Sequence, residues 1–158
     1  MRAGDLLATA DGGAARVRCV VATECEGGKA LLVALPGGGP TLTPWHPVRD
    51  AATGGGRWRF PLMLGTQAVR ACPYVINLVL DRCHEVMVDG VACVTLGHGL
   101  KGDVVEHAYW GTAAVVADLS RFPGWRQGFV LLRPKELSGA AAPAAEGATN
   151  AAAVEVEA

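Results

Sequence analysis

Apolar and polar positions alternate along this chain in short bursts, and glycine or proline separates one burst from the next. Residues 15–22 (Ala-Arg-Val-Arg-Cys-Val-Val-Ala) set small or apolar side chains against charged ones, directly after the turn signal Asp11-Gly12-Gly13. A period of two is what a half-buried strand requires. Residues 30–35 run apolar without a break, as a buried strand does, and Pro36-Gly37-Gly38-Gly39-Pro40 closes the run. Thr41-Leu42-Thr43 begins another short strand. Pro44 and Pro47 end it or confine it to a sheet edge, because proline has no amide proton for a ladder. Arg57-Trp58-Arg59-Phe60 alternates as far as Pro61.

The pattern predicts its strongest hairpin next. Residues 74–80 form one arm, residues 85–88 continue it, Asp89-Gly90 reverses the chain, and residues 91–96 return. Aspartate followed by glycine between apolar runs supplies the positive φ that a tight hairpin turn needs. Helix is scarce. Residues 112–119 are the best candidate, with Thr112 as the cap and Pro123-Gly124 stopping it. Residues 128–133 read as a final strand. Many short strands and one helix predict an all-β domain. From Ser138 the chain is almost wholly alanine, broken by Pro143 and Gly147 and without large apolar residues. A flexible tail over 138–158 is expected, leaving a domain of 1–137.

Composition narrows the function more than the fold. The 158 residues suffice for one domain with a core. Lysine and arginine number 14 against 15 acidic residues, and the arginines are scattered, so no basic footprint for nucleic acid is present. No window approaches the roughly 18 consecutive apolar residues of a membrane span. Asp5 and the Asp11-Gly12-Gly13 turn interrupt any apolar signal core, which makes an intracellular chain the expectation. The five cysteines (Cys19, Cys25, Cys72, Cys83 and Cys93) are odd in number and form no C-x-x-C pair. Reduced, buried thiols are the plain reading of most of them.

The candidate chemistry centres on Thr43-Pro44-Trp45-His46-Pro47. A hydroxyl and an imidazole three residues apart, in a loop stiffened by two prolines, can hold a peptide bond and pass it a proton. The other histidines are His84, His98 and His107. For any one histidine, a hydrogen-bonded core or edge position is the plain alternative. Zinc is a rival, with His84, His98 and His107 joined by Cys83 or Cys93. The spacing resembles no compact zinc signature, so no cofactor is expected. Cys83 or Cys93 could be a nucleophile in three dimensions, but nothing in the sequence sets either beside His46. Pro36-Gly37-Gly38-Gly39-Pro40 lacks a phosphate-binding lysine and enters no helix, so it is a loop.

These residues together carry a resemblance to the Hint domain, the self-processing fold of inteins and the Hedgehog C-terminal domain. The Vint type, which accompanies von Willebrand A domains, is the most similar variety. Gly4-Asp5 with Asp11-Gly12 resembles the strand after the first Hint block, and Thr43-Pro44-Trp45-His46 matches the T-x-x-H block. Residues 75–84, then Asp89-Gly90-Val91 and Leu96-Gly97-His98-Gly99, resemble the two C-terminal blocks, and residues 107–112 look Vint-like.

The resemblance implies an all-β, pseudo-symmetric horseshoe of short strands with one short helix. It also implies protein autoprocessing. An N-terminal cysteine or serine attacks the preceding carbonyl, His46 protonates the departing amine, and Thr43 hydrogen-bonds the scissile peptide. His98 would polarise the ester carbonyl, and His84 would orient a strand end or a neighbouring loop. The partner implied is the domain's own precursor polypeptide, with a von Willebrand A-type domain upstream. Three departures bear on this. No cysteine precedes Cys19, which puts the nucleophile upstream of Met1 and leaves the chain as written without the opening step. His98 is followed by Gly99 where splicing inteins end in His-Asn, so cleavage rather than splicing is expected. Asn77 stands where inteins carry an aspartate. A Hint fold kept as a non-catalytic interaction module is the rival from another class.

Overall fold

The computed structural model describes residues 1–50 and 56–133. The expected tail from Ser138 lies outside these residues. Ten strands and one α-helix are present among the described residues: β1 (Leu6–Ala8), β2 (Ala14–Glu24), β3 (Lys29–Ala34), β4 (Thr41–Leu42), β5 (Val48–Asp50), β6 (Thr66–Ala71), β7 (Tyr74–Leu80), β8 (Glu85–Val88), β9 (Val91–Val94), α1 (Ala113–Leu119) and β10 (Phe129–Leu132). The domain is all-β, as its alternating pattern requires.

Strand β2 organises the whole. Its start pairs with β1, its length with β7 in antiparallel fashion, and its second half with β10 in parallel. Cys19, Val20, Val21, Ala22 and Thr23 are buried consecutively, as befits a strand with neighbours on both edges and layers on both faces. Two three-stranded sheets complete the fold, ordered β4-β3-β6 and β5-β9-β8. A single bridge from Thr9 to Val86 ties the last sheet to the β1–β2 turn.

One extra residue in β2 decides which core each side chain enters. Val17 lies opposite Leu80, but Cys19 lies opposite Val79, so a bulge falls between them. Two residues of β2 then span one step of β7, and the side-chain alternation inverts. Ala15, Val17 and Val20 face a core shared with Val33, Leu42, Val48, Leu78, Leu80 and Val86. Cys19 and Val21 face the opposite core, with Val79, Leu96, Val115, Leu119 and Val130. A third, small cluster gathers Leu32, Cys72 and Val75, with Cys25 and Ala30 against it.

The long arm expected over 74–88 is divided. Residues 74–80 belong to the β2 sheet, whereas residues 85–88 pair with β9. Cys83, with φ of 46°, turns the backbone into the left-handed region between them. Its thiol lies near the Asp11 carboxylate and the Thr9 hydroxyl, Thr9 Oγ1 donates to Asp11 Oδ1 at 2.6 Å, and Ala10 N donates to Glu85 O at 3.0 Å. The β1–β2 turn thus holds the β7–β8 corner. The tight turn is as expected: Asp89 and Gly90 both have positive φ, 46° and 80°. Residues 57–60 give only an isolated bridge, Arg59 to Val48, because Pro61 starts a helical turn straight after. Strand β6 was not singled out by the pattern. Five of its six residues are exposed, so no face of it is consistently apolar.

Helix α1 covers the second core with Val115 and Leu119. Thr112 caps it, its hydroxyl accepting from Ala114 N at 3.2 Å. Thr112→Ala is expected to lower stability by about 1 kcal/mol, with Thr112→Ser close to wild type. Urea denaturation of the three proteins measures this; equal midpoints for Thr112→Ala and wild type would show that the cap contributes nothing.

Candidate functional site

Strand β4 stops at Leu42, and the next four residues close a tight turn in which His46 N donates to Thr43 O at 3.2 Å. The turn is held from outside. Leu62 N donates to Pro44 O at 3.1 Å, and the Trp45 ring meets Phe60 edge-on with centroids 5.2 Å apart. His46 is fully buried, at 0 % exposure, and Thr43 is at 7 %. The chain then enters the third sheet at once, because Val94 N donates to Pro47 O at 3.4 Å and Val48 lies opposite Cys93. The hydroxyl and imidazole expected to act together therefore share one buried turn.

His84 and His98 belong to a different place. The His84 ring lines a cleft of about 450 Å³ between the β2–β7 pair and α1, with Arg18, Asp81, Gly97, Ser120 and Trp125. Its Nδ1 is buried and has no hydrogen-bond partner among the described residues. Burial pulls its pKa below the ordinary value, against the pull of the Asp81 carboxylate. His98 sits between Gly97 and Gly99, whose φ values of 71° and 70° are left-handed. The two glycine amides donate to Trp110 O (2.9 Å) and Gly111 O (2.7 Å), fastening this loop to the segment before α1. The His98 ring accepts from Leu100 N at 3.0 Å through Nδ1. It lies against Gly111, where a Cβ would stand 2.9 Å from Cε1. Only glycine fits there.

His107 completes this second group, its Nδ1 accepting from both Tyr109 N and Trp110 N at 3.0 Å. Burial, and then the proximity of His84 and His107, push the His98 pKa down to about 4. The histidines proposed for zinc do gather on one side. Even so, no group of three or more His, Cys, Asp or Glu side chains among the described residues is placed to hold a metal ion. Nδ1 of His98 and of His107 is already taken by backbone amides.

The end of β9 joins the two places. Val94 bonds to the Thr43–His46 loop through Pro47, while Thr95 N and Thr95 Oγ1 both donate to His84 O, at 3.0 and 3.3 Å. Arg49 adds a second link. Its guanidinium pairs with the Glu85 carboxylate and stacks over Trp58 at 5.2 Å. Thr95, Arg49 and Glu85 belong to no motif in the sequence. The one signal available was that Arg49 and Glu85 each closely follow a candidate histidine. Thr95 also lines a small, mainly apolar pocket of about 170 Å³ with Met1, Leu7, Asn77, Val86 and Met87. Asn77 Oδ1 accepts from Leu78 N there, at 2.9 Å.

The all-β fold of short, mainly antiparallel strands with one helix is consistent with a Hint domain. Comparison with known families agrees, matching residues 1–140 to a Hint-domain family. That family is Vint, and the chain belongs to it. A search of curated proteins returned no match.

The depressed His98 pKa makes a prediction about stability. Unfolded, the ring takes up its proton near 6.5; folded, it does so only near 4. Its contribution is therefore fully present above about pH 6.5 and is lost as the pH falls towards 4. His98→Asn, whose Oδ1 can still accept from Leu100 N, is expected to flatten the fall in urea midpoint between those pH values. A slope unchanged from wild type would place the titration elsewhere.

Proposed function

We propose that this Vint domain is a protein autoprocessing module, acting on its own precursor by an N-to-S or N-to-O acyl shift followed by cleavage. The observation that supports this reading is the Thr43–His46 turn, in which the residues that bear the hydroxyl and the imidazole are both buried and joined by a backbone hydrogen bond. A cysteine or serine at the head of the domain, the position the family implies, attacks the carbonyl before it. The carbon–nitrogen bond breaks as the ester bond forms, and the nucleophile's proton ends on the departing amine. His46 is the group to deliver that proton, since burial and the clamped turn hold its ring in place. Thr43 hydrogen-bonds the scissile peptide. Water or another nucleophile then opens the ester. His84 orients the end of β9, where Thr95 bonds to its carbonyl, and His98 polarises the ester carbonyl.

The second reading, a Hint-fold interaction module without chemistry, is favoured by Asn77. The amide has no titratable proton to offer where an intein carries a carboxyl group. Both readings concern the same precursor, and a von Willebrand A-type domain upstream is the companion proposed for either.

A chain extended by a carrier protein and a cysteine joined directly ahead of Met1 separates them. Autoprocessing predicts two fragments on incubation, with hydroxylamine accelerating their appearance by trapping the ester. His46→Ala is expected to slow cleavage by about 10²–10⁴-fold, and Thr43→Ala less severely. Mass spectrometry reads the products. An intact precursor, or cleavage indifferent to His46→Ala, would sink the proposal; the intact outcome supports the interaction module.

A further inference from the structure

We infer that Cys25 and Cys72 form a redox-controlled disulfide that closes the segment carrying Thr43 and His46 into a covalent loop. All five cysteines are thiols in the structure. Three of them occupy separate places: Cys19 in the core beneath α1, Cys93 in the main core, and Cys83 at the corner with Thr9 and Asp11. Cys25 and Cys72 alone share a cluster, the small one with Leu32 and Val75.

The backbone brings the two residues within bonding range. β2 and β7 run antiparallel to the pair Glu24–Tyr74, and beyond it Cys25 N donates to Pro73 O at 2.9 Å. On the other side β3 and β6 run to the pair Lys29–Ala71, and Cys72 N donates to Gly28 O at 2.9 Å. Cys72 is thus one residue off register from Cys25. In an antiparallel pair that offset separates Cα atoms by about 6 Å, inside the roughly 4.4–6.8 Å that a disulfide spans.

Both side chains belong to the cluster of Leu32 and Val75. Cys72 Sγ lies 3.1 Å from Tyr74 O and Cys25 Sγ lies 3.9 Å from Thr23 O. Those two carbonyls sit on adjacent rungs of one ladder, since Thr23 pairs with Val75 and Glu24 with Tyr74. A regular ladder would turn residues one step out of register to opposite faces. Here the regular ladder has ended at the pair Glu24–Tyr74, the helical turn Glu26–Gly28 follows, and Cys25 packs against the cluster that holds Cys72.

The chemistry is thiol–disulfide exchange with a low-molecular-weight disulfide such as oxidised glutathione. Cys25 is half-buried and Cys72 buried, so Cys25 reacts first. Its sulfur attacks the glutathione disulfide, forming a mixed disulfide and releasing one glutathione. The Cys72 sulfur then attacks the Cys25 sulfur and expels the second glutathione. Both thiol protons end on the two glutathiones, and the protein loses two hydrogens. The bond ties the end of β2 to the link between β6 and β7, so β3, β4, β5 and β6, with the Thr43–His46 turn, lie inside the closed loop. Such a loop restricts the unfolded chain.

The full chain, folded in oxidised glutathione, then denatured and titrated with Ellman's reagent, is expected to fall from five thiols to three. Peptide mapping should place the link between Cys25 and Cys72. The oxidised protein should unfold at a higher urea concentration than the reduced protein, and Cys25→Ser should abolish that difference. Five thiols after oxidation, or a link through Cys19, Cys83 or Cys93, would overturn the inference. So would a bond between Cys25 and Cys72 that formed only in the denatured chain.

Discussion

The ladder between β2 and β7, with its one-residue bulge, is the constraint on which the structure rests. Val17 faces Leu80 across it and Cys19 faces Val79, so neighbouring residues of one strand supply two cores on opposite faces. Arg18, the residue between them, is turned outward over the Trp125 ring at 5.7 Å. Without the bulge, Cys19 would follow Val17 to the same face. The second core would lose the side chains against which α1 and β10 pack. A shift of one residue in a two-residue period exchanges inside for outside, and no smaller correction restores it.

The functional geometry follows from that division. The main core holds Leu42 and Val48, the residues on either side of the Thr43–His46 turn, and so presses that turn inward. The second core sits under the cleft that His84 lines. The Thr43–His46 turn is buried against the first core. Near the second lie three histidines whose pKa values are all lowered from their ordinary value, chiefly through burial. Communication between them runs through hydrogen bonds from Val94 and Thr95 and through the Arg49–Glu85 pair, each bridging β9 or its neighbours. Removing one partner of a half-buried ion pair would leave a charge poorly solvated, which gives this link a structural cost as well as a geometric role.

The cysteines show how differently five residues of one kind are used. Cys93 is deeply buried and its thiol is pushed up to about 12; Cys19, also buried, is raised to about 11. Thiols held that far from ionisation are poor nucleophiles at neutral pH. Cys83 is raised as well, by burial and by the nearby Asp11 carboxylate, although it stands at a corner of positive φ. Cys25 and Cys72 differ in sharing one small cluster, with Leu32 and Val75.

By itself the sequence determined the local elements. Alternation marked β2, the apolar run marked β3, Thr112 announced the cap of α1, and Asp89-Gly90 announced the turn between β8 and β9. The T-x-x-H spacing was equally local, and the turn that joins Thr43 to His46 spans only those residues. These features depend on contacts within a few positions, which a linear pattern records directly. Pairing between strands was decided by tertiary structure. The split of the arm 74–88 between two sheets, the parallel docking of β10 on β2 and the existence of β6 all depend on partners dozens of residues away. The same holds for the site. The corner that carries His84 is set by a left-handed Cys83 and by the Thr9–Val86 bridge and the Ala10 N to Glu85 O bond, and no periodicity along the chain encodes contacts between residues more than seventy positions apart.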